Sequence, residues 1–189
     1  FHGFGHLAQM ATVINALWRC RPEWQLVVQC AAPRAQLQQW LEPAFEHVPL
    51  VLDEGVVMHN ALQVDADATY QRFLAQFRDH RQWLQQATAL LHQQRPDLVL
   101  TDISHLLSRA AAEVGIRCRH LCSLNWADTF YTYCGDRPDA EVIYRQMCAD
   151  YDQAQRFYAL TPGMPMTNLG NVMHVGPVCR QGRVVDLAR

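Results

Sequence analysis

Lysine is absent from the 189 residues, and all 16 basic side chains are arginines. Without lysine there is no Schiff-base amine and no P-loop lysine to hold a nucleotide phosphate. Charge of either sign is sparse, at 18% of residues, and the net charge is −2. No basic footprint for nucleic acid results. The seven cysteines (Cys20, Cys30, Cys118, Cys122, Cys134, Cys148 and Cys179) are odd in number and contain no CxxC pair. Buried free thiols in a reducing, cytoplasmic compartment are the expectation, with no metal site, because a zinc module would need close ligand pairs. There is neither an apolar run long enough to cross a membrane nor a signal peptide. Peripheral contact with a membrane stays open.

Half of the residues are hydrophobic, a globular composition far from the disordered class. Residues 7–19 carry Leu7, Met10, Ile14 and Leu17 at helical spacing. The apolar runs Trp24–Cys30, Phe45–Leu52, Asp97–Thr101, Arg117–Ser123 and Val172–Val175 read as strands. A short helix is expected over Arg34–Leu41 and one long amphipathic helix over Asp65–Gln94, stopped by Arg95-Pro96. Further helices are expected over Leu106–Val114, closed by Gly115, and over Ala140–Tyr158. Asp53–Asp67 reads as a loop. Strands alternating with helices predict an α/β fold, a Rossmann-like parallel sheet with helices on both faces.

Three segments could carry chemistry. His2-Gly3-Phe4-Gly5-His6 precedes a helix. Its glycines allow a tight turn and close approach to a ligand, and a His there would project at the carboxyl edge of the sheet, where open α/β folds bind. The alternative is a plain glycine turn with a capping His. Asp102 ends the strand DLVLTD, where it could orient a His base, or it could simply cap the next helix. Ser123-Leu124-Asn125-Trp126-Ala127-Asp128 follows another strand. An indole beside an amide and a carboxylate suits a sugar, whose apolar face the ring covers. The same residues could instead close the core edge and build a turn.

GFGHLAQMATVINAL resembles the first glycine turn and helix of GT-B glycosyltransferases. The likeness is greatest to glycosyltransferase-like proteins with a GHGFGH motif, also found as the N-terminal region of arabinokinase-type sugar kinases. It continues in order through Asp53-Glu54-Gly55, Val64-Asp65, Val99–Asp102, Asn125-Trp126-Ala127-Asp128 and Met164-Pro165. Phe1 stands where the motif has its first Gly.

The resemblance implies that His6 is the general base on an acceptor hydroxyl and that Asp102 pairs with it. It implies that His2, Gly3, Gly5, Asp53, Gly55, Asn125, Trp126 and Asp128 bind substrate. It implies no cofactor beyond a nucleotide-sugar donor held mainly by a second domain, and a small-molecule or lipid-linked glycosyl acceptor. The alternatives are a non-catalytic sugar- or nucleotide-binding module and a nucleotide-sugar epimerase of the same fold. Residues 1–189 are expected to form one Rossmann-like domain, the acceptor half of a two-domain protein, with 160–189 leading toward the other half. Only two residues precede Gly3, so the central first strand is expected to lie upstream of Phe1.

Overall fold

A computed structural model describes residues 4–60 and 62–180. Helix α1 (Phe4–Cys20) opens the chain and buries Leu7 and Ala11. Asn15, buried inside this helix, donates from Nδ2 to the Trp40 carbonyl (2.8 Å) and accepts from the Glu42 amide (2.9 Å). A buried amide satisfied at both ends fixes α1 against β1 (Leu26–Gln29), α2 (Arg34–Gln38) and β2 (Phe45–Val48). The strands β1 and β2 pair in parallel, and Leu7, Ala11, Leu37, Leu41 and Phe45 form their core. Pro49 follows directly on β2, which therefore ends short of the expected Leu52.

The stretch 53–67 holds a short antiparallel hairpin, β3 (Met58–Asn60) with β4 (Gln63–Val64), where a loop was expected. The expected long helix is two: α3 (Ala66–Arg78) and α4 (His80–Gln94), broken at Asp79. Periodicity could not reveal the break, because each half is amphipathic toward a different core. Phe73 and Leu74 of α3 join one cluster; Ala87, Leu90 and Leu91 of α4 join another.

The remaining elements are β5 (Leu98–Thr101), α5 (His105–Glu113), β6 (Arg117–Cys122), α6 (Trp126–Cys134), α7 (Ala140–Tyr151), β7 (Arg156–Leu160) and β8 (Val172–Val175). The strands form an all-parallel sheet in the order β5-β6-β7-β8. Parallel neighbours need crossovers. Helix α5 supplies one and α6–α7 the next, giving the Rossmann-like α/β architecture read from the sequence. Two elements were not read there. The helix expected over Ala140–Tyr158 stops at Tyr151, and β7 follows. Asn171 Nδ2 donates to the carbonyls of Tyr151 (2.9 Å) and Ala154 (2.8 Å), so a distant side chain takes over backbone acceptors at that helix end. Helix α6 begins inside the segment Ser123–Asp128, for which the sequence predicted no helix. Among the described residues β1 pairs only with β2, and β5 only with β6.

The larger core lies between β6–β7 and the helices α3, α6 and α7. It includes Phe73, Trp126, Phe130, Ile143, Met147, Tyr151 and Phe157. Beside it, Asp150 is fully buried. Its Oδ2 lies 3.0 Å from His80 Nε2 and 2.9 Å from His105 Nδ1, and its Oδ1 accepts from Gln146 Nε2 at 2.9 Å. Burial pushes this carboxyl up, but hydrogen bonds and charge from His105 and His80 outweigh burial and hold it at about 2. One carboxylate thus ties α4, α5 and α7 together.

Candidate functional site

In a parallel sheet the carboxyl ends of the strands share one edge. His6 is the third residue of α1, Asp102 directly follows β5, Cys122 ends β6 and Trp126 opens α6. The fold brings these four together. His6 Nδ1 lies 2.7 Å from Asp102 Oδ2, with both side chains about one-fifth exposed (19% and 21%). The Cys122 thiol lies 3.8 Å from the same His6 nitrogen, and the Trp126 and His6 ring centroids are 6.4 Å apart.

Local capping explains why Asp102 is free to face His6. The alternative role for Asp102, capping α5, belongs to Ser104, whose Oγ accepts from the Leu107 amide at 3.4 Å. Tyr151, fully buried on α7, donates its hydroxyl to the Ile103 carbonyl (2.7 Å) and accepts from the Trp126 amide (3.0 Å). It therefore pins the turn after β5 to the start of α6, which sets the spacing between Asp102 and Trp126. Burial raises the Tyr151 hydroxyl well above its ordinary value and keeps it a neutral donor.

His120 lies one layer deeper, on β6. It stacks on Phe157 at 4.9 Å, meets Tyr151 edge-on at 5.1 Å, and its Nε2 pairs with Ser108 Oγ. Burial, seconded by the neighbouring His105, lowers its imidazole to about 3, against a smaller upward pull from Asp53.

The other sequence-predicted residues divide. Gly5 sits in the first turn of α1, not in a turn preceding it, and nothing lies within 4 Å of where its Cβ would be. His2 and Gly3 lie outside the described residues. Asp53 is buried, close enough for its charge to act on His120 and Tyr151. The neighbouring Gly55 is held by its carbonyl, which accepts from Arg72 Nη1 at 3.2 Å, while Arg72 Nε pairs with Glu54 at 2.9 Å. This segment is fastened to α3.

Asn125 is fully buried and is the N-cap of α6. Its Oδ1 accepts from the Asp128 amide (2.7 Å) and its Nδ2 donates to Asp128 Oδ2 (2.8 Å). Asp128 Oδ1 accepts from the Tyr144 hydroxyl at 3.1 Å. These polar groups, expected to face a sugar, are engaged in holding the helix start.

Trp126 is only 4% exposed and belongs to the main core. Trp126→Ala is expected to remove about 3–5 kcal/mol of stability. A thermal melt of the variant checks this. An unchanged Tm would show that the core does not depend on the ring.

Cys122 was not singled out from the sequence, although the strand-end rule that selects Asp102 selects it too. Burial, and after it the Asp102 charge, raise its thiol far above the ordinary value, so it is not a nucleophile as it stands.

No protein-family model matches the chain. The chain is 23% identical over 192 residues to L-arabinokinase of Arabidopsis thaliana, a match covering 95% of this chain and 17% of that protein. It is also similar to a crystal structure described as a UDP-N-acetylglucosamine 2-epimerase from Listeria monocytogenes. There the TM-score is 0.42 and the identity 14%, over 84% of this chain and 37% of that one. The chain therefore spans about a sixth of the curated relative's length. Among the described residues no helix is long and apolar enough to cross a membrane. The chain has a Rossmann-like α/β fold and is similar at low identity to part of an L-arabinokinase.

Proposed function

We propose that this domain is the acceptor-binding half of a GT-B-type glycosyltransferase, in which His6 is the general base and Asp102 orients it. The observation that carries the reading is the 2.7 Å approach of His6 Nδ1 to Asp102 Oδ2 at the carboxyl edge of the sheet. With Nδ1–H donating to the carboxylate, Nε2 is the nitrogen of the neutral ring that can accept a proton. The acceptor O–H gives its proton to Nε2, and its oxygen forms a bond to the anomeric carbon of the donor. The bond from that carbon to the nucleotide phosphate breaks, and the nucleotide leaves with the electron pair. Asp102 stabilises the imidazolium that forms. The donor is a nucleotide sugar held mainly by a second domain, no further cofactor is involved, and the acceptor is a small molecule or a lipid-linked glycan. The setting is cytoplasmic, in keeping with seven free thiols.

A second reading, a non-catalytic sugar- or nucleotide-binding module, is favoured by the likeness of this chain to a small part of an L-arabinokinase. One screen separates the two. The protein at its natural length is incubated with a panel of nucleotide sugars, with and without glycosyl acceptors, and nucleotide release is measured. Release from one donor, accelerated by acceptor, is the expected result. Saturable binding of a sugar or nucleotide without release from any donor would overturn it in favour of the module. Conversion of a donor to its epimer without acceptor would make the site an epimerase.

A further inference from the structure

We propose that His6, Asp102 and Cys122 form a site for a zinc ion, and that the bound ion switches the dyad off. Three elements supply the donors: the first turn of α1, the residue after β5 and the last residue of β6. One ligand atom of each (a nitrogen, an oxygen and a sulfur) lies within 4.8 Å of the other two.

The two measured spacings differ in an informative way. In tetrahedral zinc, with Zn–N near 2.0 Å and Zn–S near 2.3 Å, neighbouring nitrogen and sulfur ligands stand about 3.5 Å apart. Cys122 Sγ and His6 Nδ1 are 3.8 Å apart, already close to that value. His6 Nδ1 and Asp102 Oδ2, at 2.7 Å, share a proton instead. An ion would replace that proton and part the two atoms to about 3.3 Å, a movement smaller than a rotamer change.

A second observation points to a ligand. Asp102 Oδ1 is buried without a hydrogen-bond partner among the described residues, an arrangement that ordinarily costs stability unless something binds there. The donor set selects the ion. Thiolate with imidazole suits borderline-soft zinc and not magnesium or calcium, which take oxygen. One carboxylate and one thiolate neutralise its two charges. Three protein ligands leave a fourth position for water, and the partial exposure of His6 and Asp102 gives an entry path.

The proton balance explains the switch. Cys122 releases its thiol proton to solvent. The neutral His6 ring keeps one proton, but Nδ1 must offer its lone pair to the metal, so the proton passes through solvent to Nε2. That is the nitrogen required to accept the acceptor's proton. This consequence rests on the base assignment proposed above, whereas the binding itself does not.

The test uses the natural-length protein, stripped of metal and titrated with Co²⁺ as a coloured stand-in for zinc. Near-stoichiometric uptake is expected, with a thiolate-to-cobalt charge-transfer band and the d–d bands of four-coordinate cobalt, all reversed by zinc. Cys122→Ala should abolish the charge-transfer band and weaken zinc binding by more than about 100-fold. Cys118→Ala, which alters a buried thiol on the same strand, should keep both. If Cys122→Ala does not fold, the near-isosteric Cys122→Ser serves the same purpose. A band that persists in the Cys122 variants, or is absent from the unaltered protein, overturns the metal site and leaves the base assignment standing. Zinc that displaces the cobalt and reverses these spectra yet leaves sugar transfer at full rate keeps the metal site, but overturns the switch and the base assignment on which it rests.

Discussion

Replacing Asp102 by Asn in the natural-length protein is expected to lower turnover by about 10³–10⁴-fold. The side chain keeps its size and still meets His6 Nδ1, but an amide can donate there where a carboxylate only accepts. The ring then protonates Nε2 and presents the wrong nitrogen to the acceptor. His6→Ala removes the base itself and should cost about 10²–10⁴-fold. The double variant should be little worse than the worse single one, because the two residues act as a unit. Turnover of nucleotide sugar with acceptor, measured on variants shown to be folded by circular dichroism, gives the rates. Nitrogen-resolved NMR of the His6 ring gives a readout independent of activity. The proton should sit on Nδ1 in the unaltered protein and on Nε2 in Asp102→Asn. A His6 variant with undiminished turnover, or an Asp102 variant that raises KM alone, would remove the dyad from the mechanism.

The largest expected effect on stability is acid lability set by His120. Its imidazole is lowered from 6.5 to about 3, first by burial and then by His105. A histidine depressed in the folded state binds its proton only in the unfolded chain between those two values, so stability falls as pH drops from about 6.5 toward 3. The full loss is about 5 kcal/mol, a large share of the 5–15 kcal/mol by which domains are ordinarily stable. Asp150 adds a loss of the same direction in a lower, partly overlapping window. Its folded value of about 2 lies below the ordinary 3.8, so its contribution is intact above about 4 and disappears as pH falls through 2.

Urea melts at pH 7, 6, 5 and 4 should therefore show a steady decline that sets in above the range in which carboxylates titrate. The double variant Ser108→Ala/His120→Leu removes both members of the buried pair and replaces them by apolar groups, a change that can be nearly neutral at pH 7. It should flatten the slope between pH 6 and 4. A slope unchanged in the double variant would assign the acid sensitivity to other groups.

These two effects share a structural origin. Beneath the dyad lies a layer of buried polar side chains: His120 with Ser108, Asp150 with His80 and His105, and the Tyr151 hydroxyl between the Ile103 carbonyl and the Trp126 amide. Hydrogen bonds in such a buried layer are strengthened by the low local dielectric and hold what rests on them. Here what rests on them is the turn that carries Asp102 and the helix start that carries Trp126.

How much of this was legible depended on whether the cause was local. The alternation of β5, α5 and β6 could be read directly. The apolar run ending at Thr101, and Gly115 with its left-handed φ of +73° past the end of α5, are signals written within a few residues. The same holds for the position of Asp102 at a strand end and of His6 at a helix start. Which of two roles Asp102 plays was not legible, because Ser104 is an equally good cap and only the geometry shows which side chain turns back on the helix. Asn125 and Asp128 carry the composition of a sugar site, and that composition is also the composition of a cap. Their use was decided by Tyr144, a residue on another helix. The break at Asp79 and the strand β7 escaped the reading because each is caused by partners far along the chain: two separate cores for α3 and α4, and Asn171 at the end of α7.

The sequence by itself determined the class of fold, the absence of lysine chemistry and the residues able to stand at the carboxyl edge of a sheet. Hydrophobic periodicity, glycine and proline act over one turn or one strand, and a reader needs nothing more to see them. Tertiary structure alone decided that His6, Asp102 and Cys122 meet. Their separation along the chain is closed only by the lateral order of strands and the placement of α1 beside β6, and strand order is a property of packing that no local stretch of residues encodes.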